Sequence, residues 1–311
     1  MHPAFSVIFF TAASGAGFGL LALTGILFAL RAIPLERSFG ATALGVAMAL
    51  AAGGLLSSTA HLGRPERAWR AMSQWRTSWL SREGVASLLA FALAGTFGIG
   101  WVIFGRADTL VAAAGILAAL GALATIVTTG MIYASLKPIQ QWHSPYTLPG
   151  YILYAAMTGA LLLNAILHVF GAGASSVAAV APLLVIAGWA WKSATWRHDD
   201  RTSLPTTVNS ATGLAGGRVR SIEWPHTEEN YLLKEMGYRI ARKHAVRLRK
   251  LMHLLAFALP LAMSLLALVL QGPAATLAAL AAALVQAPGI LIERWLFFAE
   301  ARHTVVLYYG R

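Results

Sequence analysis

The chain alternates long apolar stretches with short polar connections. Eight of the stretches predict helices that cross about 30 Å of hydrocarbon at a rise of about 1.5 Å per residue, and the sixth is the shortest of them. The predicted spans are residues 5–30, 39–60, 84–104, 109–135, 149–170, 177–191, 251–270 and 274–298. Helices are expected because lipid offers no partners to exposed backbone groups. The pattern therefore predicts an all-α polytopic membrane protein, a bundle of eight transmembrane helices.

The composition agrees with this class. Of the 311 residues, 58% are hydrophobic and 12% are charged, about half the charged fraction of a soluble domain. We expect one transmembrane anchor domain over residues 1–311, with residues 195–250 inserted as a basic loop. The chain has no cysteine, which excludes disulfides, cysteine-ligated zinc and cysteine-held iron–sulfur clusters in this chain.

The basic residues are strongly biased to one side of the predicted topology. Eight spans place both termini on the same side, and 21 of the 24 lysines and arginines fall there. The other three are Arg31, Arg37 and Arg106. The positive-inside rule then predicts a multi-pass protein of the bacterial inner membrane with both termini in the cytoplasm. A docking face for an acidic partner would produce the same bias.

The largest polar connection ends in a predicted amphipathic helix over residues 227–250. Its apolar positions recur at helical spacing through Leu248. Its basic face carries Arg239, Arg242 and Lys243. Two interpretations stay open: a helix lying on anionic lipid, or a platform for a partner subunit.

The connection over residues 61–84, HLGRPERAWRAMSQWRTSWLSREG, concentrates polar and aromatic side chains between two spans. Pro65 is well placed to open a short helix that ends near Met72, with Trp69 and Met72 facing inward. Ser81 is a candidate N-cap for the third span, which would place Glu83 in its first turn. The same spacing puts His61, at the end of the second span, at a similar depth.

A histidine, a carboxylate and an arginine at the polar edge of an apolar pocket suit a quinone. The ring and tail need lipid-like surroundings, and the ring oxygens need hydrogen-bond partners and a proton source. His61, Arg64 and Glu83 are the predicted quinone-binding residues, for ubiquinone or menaquinone. The same residues would also fit an interfacial histidine and a helix-capping glutamate without a ligand.

Other polar residues near the spans give weaker indications. Haem b requires histidines that face each other across helices, and His61 with His253 is the one conceivable pair, so neither haem nor a metal is expected in this chain. Thr129 is expected to hydrogen-bond between helices. Glu293 and Arg294 are expected to pair. No Asp, Glu or Lys is predicted at mid-membrane.

Three segments resemble the membrane anchor subunits of dimethyl sulfoxide reductase-type molybdoenzymes. They are the start MHPAFSVIFFTAASGAG, the loop HLGRPERAWRAMSQWRTSWLSREG and the segment TEENYLLKEMGYRIARKHAVRLRKL. The resemblance implies a haem-free anchor in a three-subunit complex with a molybdopterin catalytic subunit and a subunit carrying four iron–sulfur clusters. It also places the quinone site at the positions of His61 and Glu83.

The resemblance leaves two branches, reductases that oxidise menaquinol and sulfite dehydrogenases that reduce quinone. The basic asymmetry and the 195–250 insertion favour a cytoplasmic sulfite:quinone oxidoreductase, in which Arg67, Arg70, Arg76, Arg239, Arg242 and Lys243 are predicted to dock the partner. The expected partners are the two other subunits, quinone and the lipid bilayer, without nucleic acid. Outside this family, a secondary transporter or a structural anchor without a quinone site are the alternatives.

Overall fold

The computed structural model describes residues 4–59, 64–204, 206–214, 216–217, 219–220, 222–223 and 240–309. In these ranges, eight helices are long and apolar enough to cross a membrane, which confirms the predicted all-α bundle. They are α1 Phe5–Ala29, α2 Arg37–Thr59, α3 Trp79–Gly98, α4 Thr109–Ala134, α5 Thr147–Val169, α6 Val180–Asp199, α7 (Ile240–Met252, continued through Leu259–Val269) and α8 Gly272–Ala299.

Three helices extend more than two residues beyond the apolar stretches that predicted them. Helix α3 begins at Trp79 and continues through a π-helical turn at Ile99–Ile103. Helix α6 runs on to Asp199, and the described part of α7 starts at Ile240 and includes a π-helical turn at His253–Ala258. Hydropathy drops at the first charged residue, whereas the backbone hydrogen bonds of a helix continue past it.

The short helix predicted after α2 is present as a 3-10 helix at Pro65–Gln74. Proline is well suited to its first position because its fixed φ and missing N–H cost nothing there. The helix lies across the start of α3 and is attached to it by side-chain bonds. Arg82 Nε donates to the Trp75 carbonyl at 3.0 Å, and Arg82 Nη2 donates to the Arg76 carbonyl at 2.7 Å.

Helix α1 lies at the centre of the bundle, where it packs against α2, α4 and α5. Its Phe18, Leu20 and Leu21 are fully buried. The crossing with α5 is close because both helices present glycine there: a Cβ at Gly19 would overlap the carbonyl of Ala155, and one at Gly159 would overlap the backbone of Gly19. Small residues at such contacts let two helix backbones approach each other in lipid.

The two ends of the bundle differ in polarity. One end, called the basic end below, carries the 64–78 connection, the α4–α5 connection and the residues after α8. At the opposite end the three cations are held locally. Arg31 Nη2 donates to the Ala107 carbonyl at 3.4 Å, Arg37 Nη2 donates to the Phe104 carbonyl at 3.2 Å, and Arg106 pairs with Asp108 at 2.7 Å.

We expect Gly19→Ala to destabilise the protein by roughly 1–3 kcal/mol, because the added methyl forces α1 away from α5. Gly45→Ala in α2 is the matched control, since a Cβ there meets open space. The control should be neutral or slightly stabilising, since alanine favours a helix over glycine by about 0.5–1 kcal/mol. Thermal unfolding of the two purified variants measures the difference, and equal stabilities would contradict the packing described.

Candidate functional site

An apolar cavity of about 820 Å³ opens at the basic end. The start of α1, the end of α2, the 3-10 helix, the start of α3 and the end of α4 enclose it. Most of its wall is hydrocarbon, including Val7, Phe10, Leu55, Met72, Leu88 and Phe91. The charged residues of the described lining are Arg64, Arg67 and Glu83. Glu83 therefore supplies the carboxylate of this wall.

Glu83 lies deeper than the sequence predicted. The N-cap of α3 is Ser78, so Glu83 falls just beyond the first turn, and its side chain is only 4% exposed. Ser81, expected to be the cap, instead donates its hydroxyl hydrogen bond to the carbonyl of Ala71 in the 3-10 helix. That bond fastens the 3-10 helix to α3 and leaves Glu83 on the inner wall of the cavity.

The partner of Glu83 is Thr129 of α4, whose Oγ1 forms a short hydrogen bond with Glu83 Oε1. Thr129 Oγ1 also lies 2.9 Å from the carbonyl of Thr125. A hydroxyl has one proton to donate and lone pairs to accept with. It can donate to an ionised Glu83, or accept from a protonated Glu83 while donating to Thr125. The pair therefore accommodates both protonation states of the carboxyl group. The expected role of Thr129 in joining helices is confirmed.

The other predicted quinone-binding residues are placed only in part. Arg64 is exposed and lines the same cavity as Glu83. His61 lies outside the described residues, and its role stays a prediction. The nearest described residues on either side of it along the chain, Thr59 and Arg64, both line the cavity.

Three predicted docking arginines present exposed side chains at the basic end. Arg67 and Arg70 lie on the 3-10 helix and Arg76 follows it. The guanidinium carbon of Arg70 lies 5.6 Å from the ring centroid of Trp69. Trp69 lines the cavity and is 65% exposed. Arg239 and the side chains of Arg242 and Lys243 lie outside the described residues.

A second cavity of about 300 Å³, the polar cavity, lies at the same end between α5, α6, α7 and α8. Its inner wall holds a buried charge cluster. Lys192 Nζ lies 2.6 Å from Glu293 Oε1, and Arg294 Nε lies 2.5 Å from Glu293 Oε2. The three side chains are 4%, 1% and 6% exposed. The pairing of Glu293 with Arg294 is as predicted.

Lys192 is a buried lysine that the sequence placed outside the sixth helix. The apolar stretch of the sixth span stops at residue 191, so the sequence placed Lys192 in the loop, whereas α6 continues to Asp199. The missed signal is helical spacing: Lys192, Trp196 and Asp199 are four and three residues apart and share one face. Lys192 Nζ lies 4.8 Å from the Trp196 ring centroid.

Comparisons with known proteins identify the family of the chain. The family described as DMSO reductase anchor subunit (DmsC) matches residues 1–310, and the chain belongs to this family. A sulfite dehydrogenase subunit of Allochromatium vinosum is 36% identical over 324 residues, which cover 99% of each chain. No solved structure matches.

Family membership defines the chain as a multi-pass membrane anchor subunit and implies association with a molybdoenzyme catalytic subunit. The resemblance inferred from the three sequence segments is confirmed. Membership also decides against the secondary-transporter alternative, because the match covers nearly the whole chain.

We expect Glu293→Gln to destabilise the protein strongly, by roughly 3–5 kcal/mol, because it leaves two buried cations without a counter-charge. Lys192→Met should cost less, since Glu293 keeps Arg294 and the methionine fills the same space. Thermal unfolding in detergent measures both. Glu66→Gln is the control, because the Glu66–Arg67 pair is exposed and 3.9 Å long, and we expect no measurable change. A milder effect of Glu293→Gln than of Lys192→Met would contradict the role of Glu293 as the shared counter-charge of both cations.

Proposed function

We propose that this chain is the anchor and quinone-reactive subunit of a cytoplasm-facing molybdopterin and iron–sulfur oxidoreductase, which passes electrons from sulfite oxidation to the quinone pool. The observation that carries the proposal is the apolar cavity with the buried carboxyl group of Glu83 on its inner wall. Such a site combines hydrocarbon walls with few, fixed polar groups, as small-molecule sites commonly do.

The cavity suits a quinone in size and in access. Its volume falls within the range of about 300–1,000 Å³ typical of ligand pockets. Leu56, Leu80 and Leu88 line the cavity and are also exposed on the outside of the bundle. An isoprenoid tail can therefore leave toward lipid while the ring stays near Glu83 and Arg64. His61, when placed there, would supply a second titratable group.

The chemistry asked of Glu83 is proton transfer. Reducing a quinone to a quinol adds two electrons and two protons. Glu83 is buried, within the cavity wall, and bonded to a hydroxyl that tolerates both of its protonation states. It acts as the general acid for one ring oxygen, and Arg64 stabilises negative charge at the cavity mouth. The protons enter from the basic end, so no charge has to cross the membrane.

The electrons come from a partner, because this chain has no cysteine to hold an iron–sulfur cluster. The partner is an iron–sulfur subunit with four clusters, which docks on Arg67, Arg70 and Arg76 beside the cavity and connects to the molybdopterin subunit. Exposed arginines next to tryptophans are typical anchors of protein interfaces. The full-length similarity to a sulfite dehydrogenase subunit supports sulfite as the electron donor.

A second candidate follows from the family description, which names DMSO reductase. In that case the same cavity would oxidise menaquinol, and Glu83 would accept rather than donate the proton. Incubating the purified complex with sulfite and a quinone, or with a quinol and dimethyl sulfoxide, distinguishes the two directions.

We expect Glu83→Gln and His61→Ala each to lower quinone reduction by about a hundredfold or more, the lower end of what general acid–base groups contribute. Sulfite oxidation with an artificial acceptor should stay unchanged, because that reaction bypasses the anchor. Both rates are measured on the assembled complex. Glu66→Gln, on the exposed side of the same connection, is the control. Unaltered quinone reduction in both variants would show that the site lies elsewhere.

The proposed orientation predicts which end of the bundle a membrane-impermeant thiol reagent reaches. The chain has no cysteine of its own, so any labelling comes from the single cysteine that is introduced. Ser73→Cys at the basic end should be labelled only after the cells are permeabilised. Ser38→Cys, at the exposed start of α2 on the opposite end, should be labelled in intact spheroplasts. The reverse pattern would place the basic end outside the cytoplasm.

A further inference from the structure

A small third cavity lies between Thr129, the partner of Glu83, and the polar cavity. It has a volume of about 30 Å³ and is called the bridging cavity here. Tyr151, Tyr154 and Arg294 line both the bridging cavity and the polar cavity. Thr129 lines the bridging cavity and holds Glu83 by its short hydrogen bond. The bridging cavity therefore shares side chains with the polar cavity and adjoins Glu83 through Thr129.

The bridging cavity can hold water. A water needs roughly 10–15 Å³ of such space and two to four polar partners. The hydroxyl groups of Thr11, Thr129 and Thr158 belong to lining residues, and so does the guanidinium group of Arg294. A water there would contact Thr129 on one side and the tyrosines on the other, which continues the hydrogen-bond path from Glu83 toward the polar cavity.

The polar cavity is also lined by a carboxyl group that has one oxygen without a hydrogen-bond partner among the described residues. Asp199, at the last turn of α6, lines the polar cavity, and its Oδ1 is buried with no hydrogen-bond partner among the described residues. A buried carboxylate oxygen left in that state is costly unless it bonds to water or carries a proton. Its neighbour Asp200 is instead committed to Arg249, at 2.8 Å.

The charges along this path are balanced while a proton is in transit. Lys192 and Arg294 supply two positive charges, and Glu293 and the ionised Asp199 that has released its proton supply two negative ones. Arg294 is fixed by Glu293 and by Tyr151, whose ring centroid lies 4.5 Å from its guanidinium carbon. A proton moving between Asp199 and Thr129 therefore does not face an uncompensated buried cation, which would otherwise raise its energy.

We infer that Asp199, the polar cavity and the bridging cavity form the route by which protons from the basic end reach Glu83. The inference rests on the proposed function. For each quinone reduced, Glu83 gives its proton to one ring oxygen and becomes a carboxylate, and the second ring oxygen takes its proton from water at the mouth of the apolar cavity. It regains a proton through Thr129 from a water in the bridging cavity. That water is reprotonated from Asp199, and Asp199 from bulk water, while the partner supplies the two electrons.

The test is Asp199→Asn in the assembled complex, assayed with sulfite and a water-soluble quinone. We expect kcat for quinone reduction to fall about tenfold or more, with an unchanged KM for the quinone and an unchanged rate with an artificial acceptor. Acetate, a small diffusible weak acid, should restore part of the lost turnover. Asp199→Glu should keep most of the activity. Asp108→Asn makes the same chemical change at the opposite end of the bundle and should have no effect.

Thr129→Val removes the hydroxyl at the inner end of the route, which also holds Glu83, so its result is compared with that of Asp199→Asn. It should lower kcat as Asp199→Asn does, whereas Thr129→Ser should not. Normal quinone turnover in Asp199→Asn, or a loss that acetate does not restore, overturns the route. If Glu83→Gln slows quinone reduction while Asp199→Asn does not, only the route fails. If Glu83→Gln has no effect either, the proposed function itself is wrong.

Discussion

The quinone site depends on the carboxyl group of Glu83, which is buried at one end of a membrane-spanning bundle. An ionisable side chain at this depth is expensive unless other groups satisfy it. Thr129 supplies the partner from α4, and the hydroxyl can reverse its direction when Glu83 gains or loses a proton. The bond from Ser81 to the Ala71 carbonyl then fixes the 3-10 helix over the same place. Glu83 is thus held facing hydrocarbon rather than water.

The second half of the bundle solves a related problem differently. Lys192, Glu293 and Arg294 are buried together, so their charges largely compensate one another. This cluster joins α6 to α8, and Arg294 reaches over Tyr151 of α5. Nearer the surface, Arg249 of α7 pairs with both Asp200 and Glu300. The basic end therefore contains two cavities. Glu83 lies on the wall of a largely apolar one, and the charge cluster lies on the wall of the polar one. Thr129 and Tyr151 line the bridging cavity between them.

The sequence predicted much of this fold because lipid leaves few choices. Long apolar stretches have to become helices in lipid, and the eight predicted stretches correspond to the eight spans. Helix ends were harder, because charged residues such as Lys192 end an apolar stretch without ending the helix. Family-specific residues in the 61–84 connection identified the anchor class correctly.

The site was predicted only in outline. Arg64 and Glu83 do line one cavity, but Ser81 proved to be a tertiary contact rather than a cap, which moved Glu83 inward. The bridging cavity could not be foreseen, because it depends on how α1, α4, α5 and α8 meet and not on any local spacing. Likewise, Asp199 gains significance only once α6 is known to reach it.

The most direct test of the central claim is to find where a quinone binds. A photoreactive azidoquinone can be photolysed in the assembled complex and its attachment sites mapped by mass spectrometry. We predict labelling of peptides from the 3-10 helix Pro65–Gln74 and the first turns of α3, abolished by excess unlabelled quinone. Competable labelling confined to the polar cavity near Asp199, or to another subunit, would contradict the assignment of the quinone site to the cavity beside Glu83.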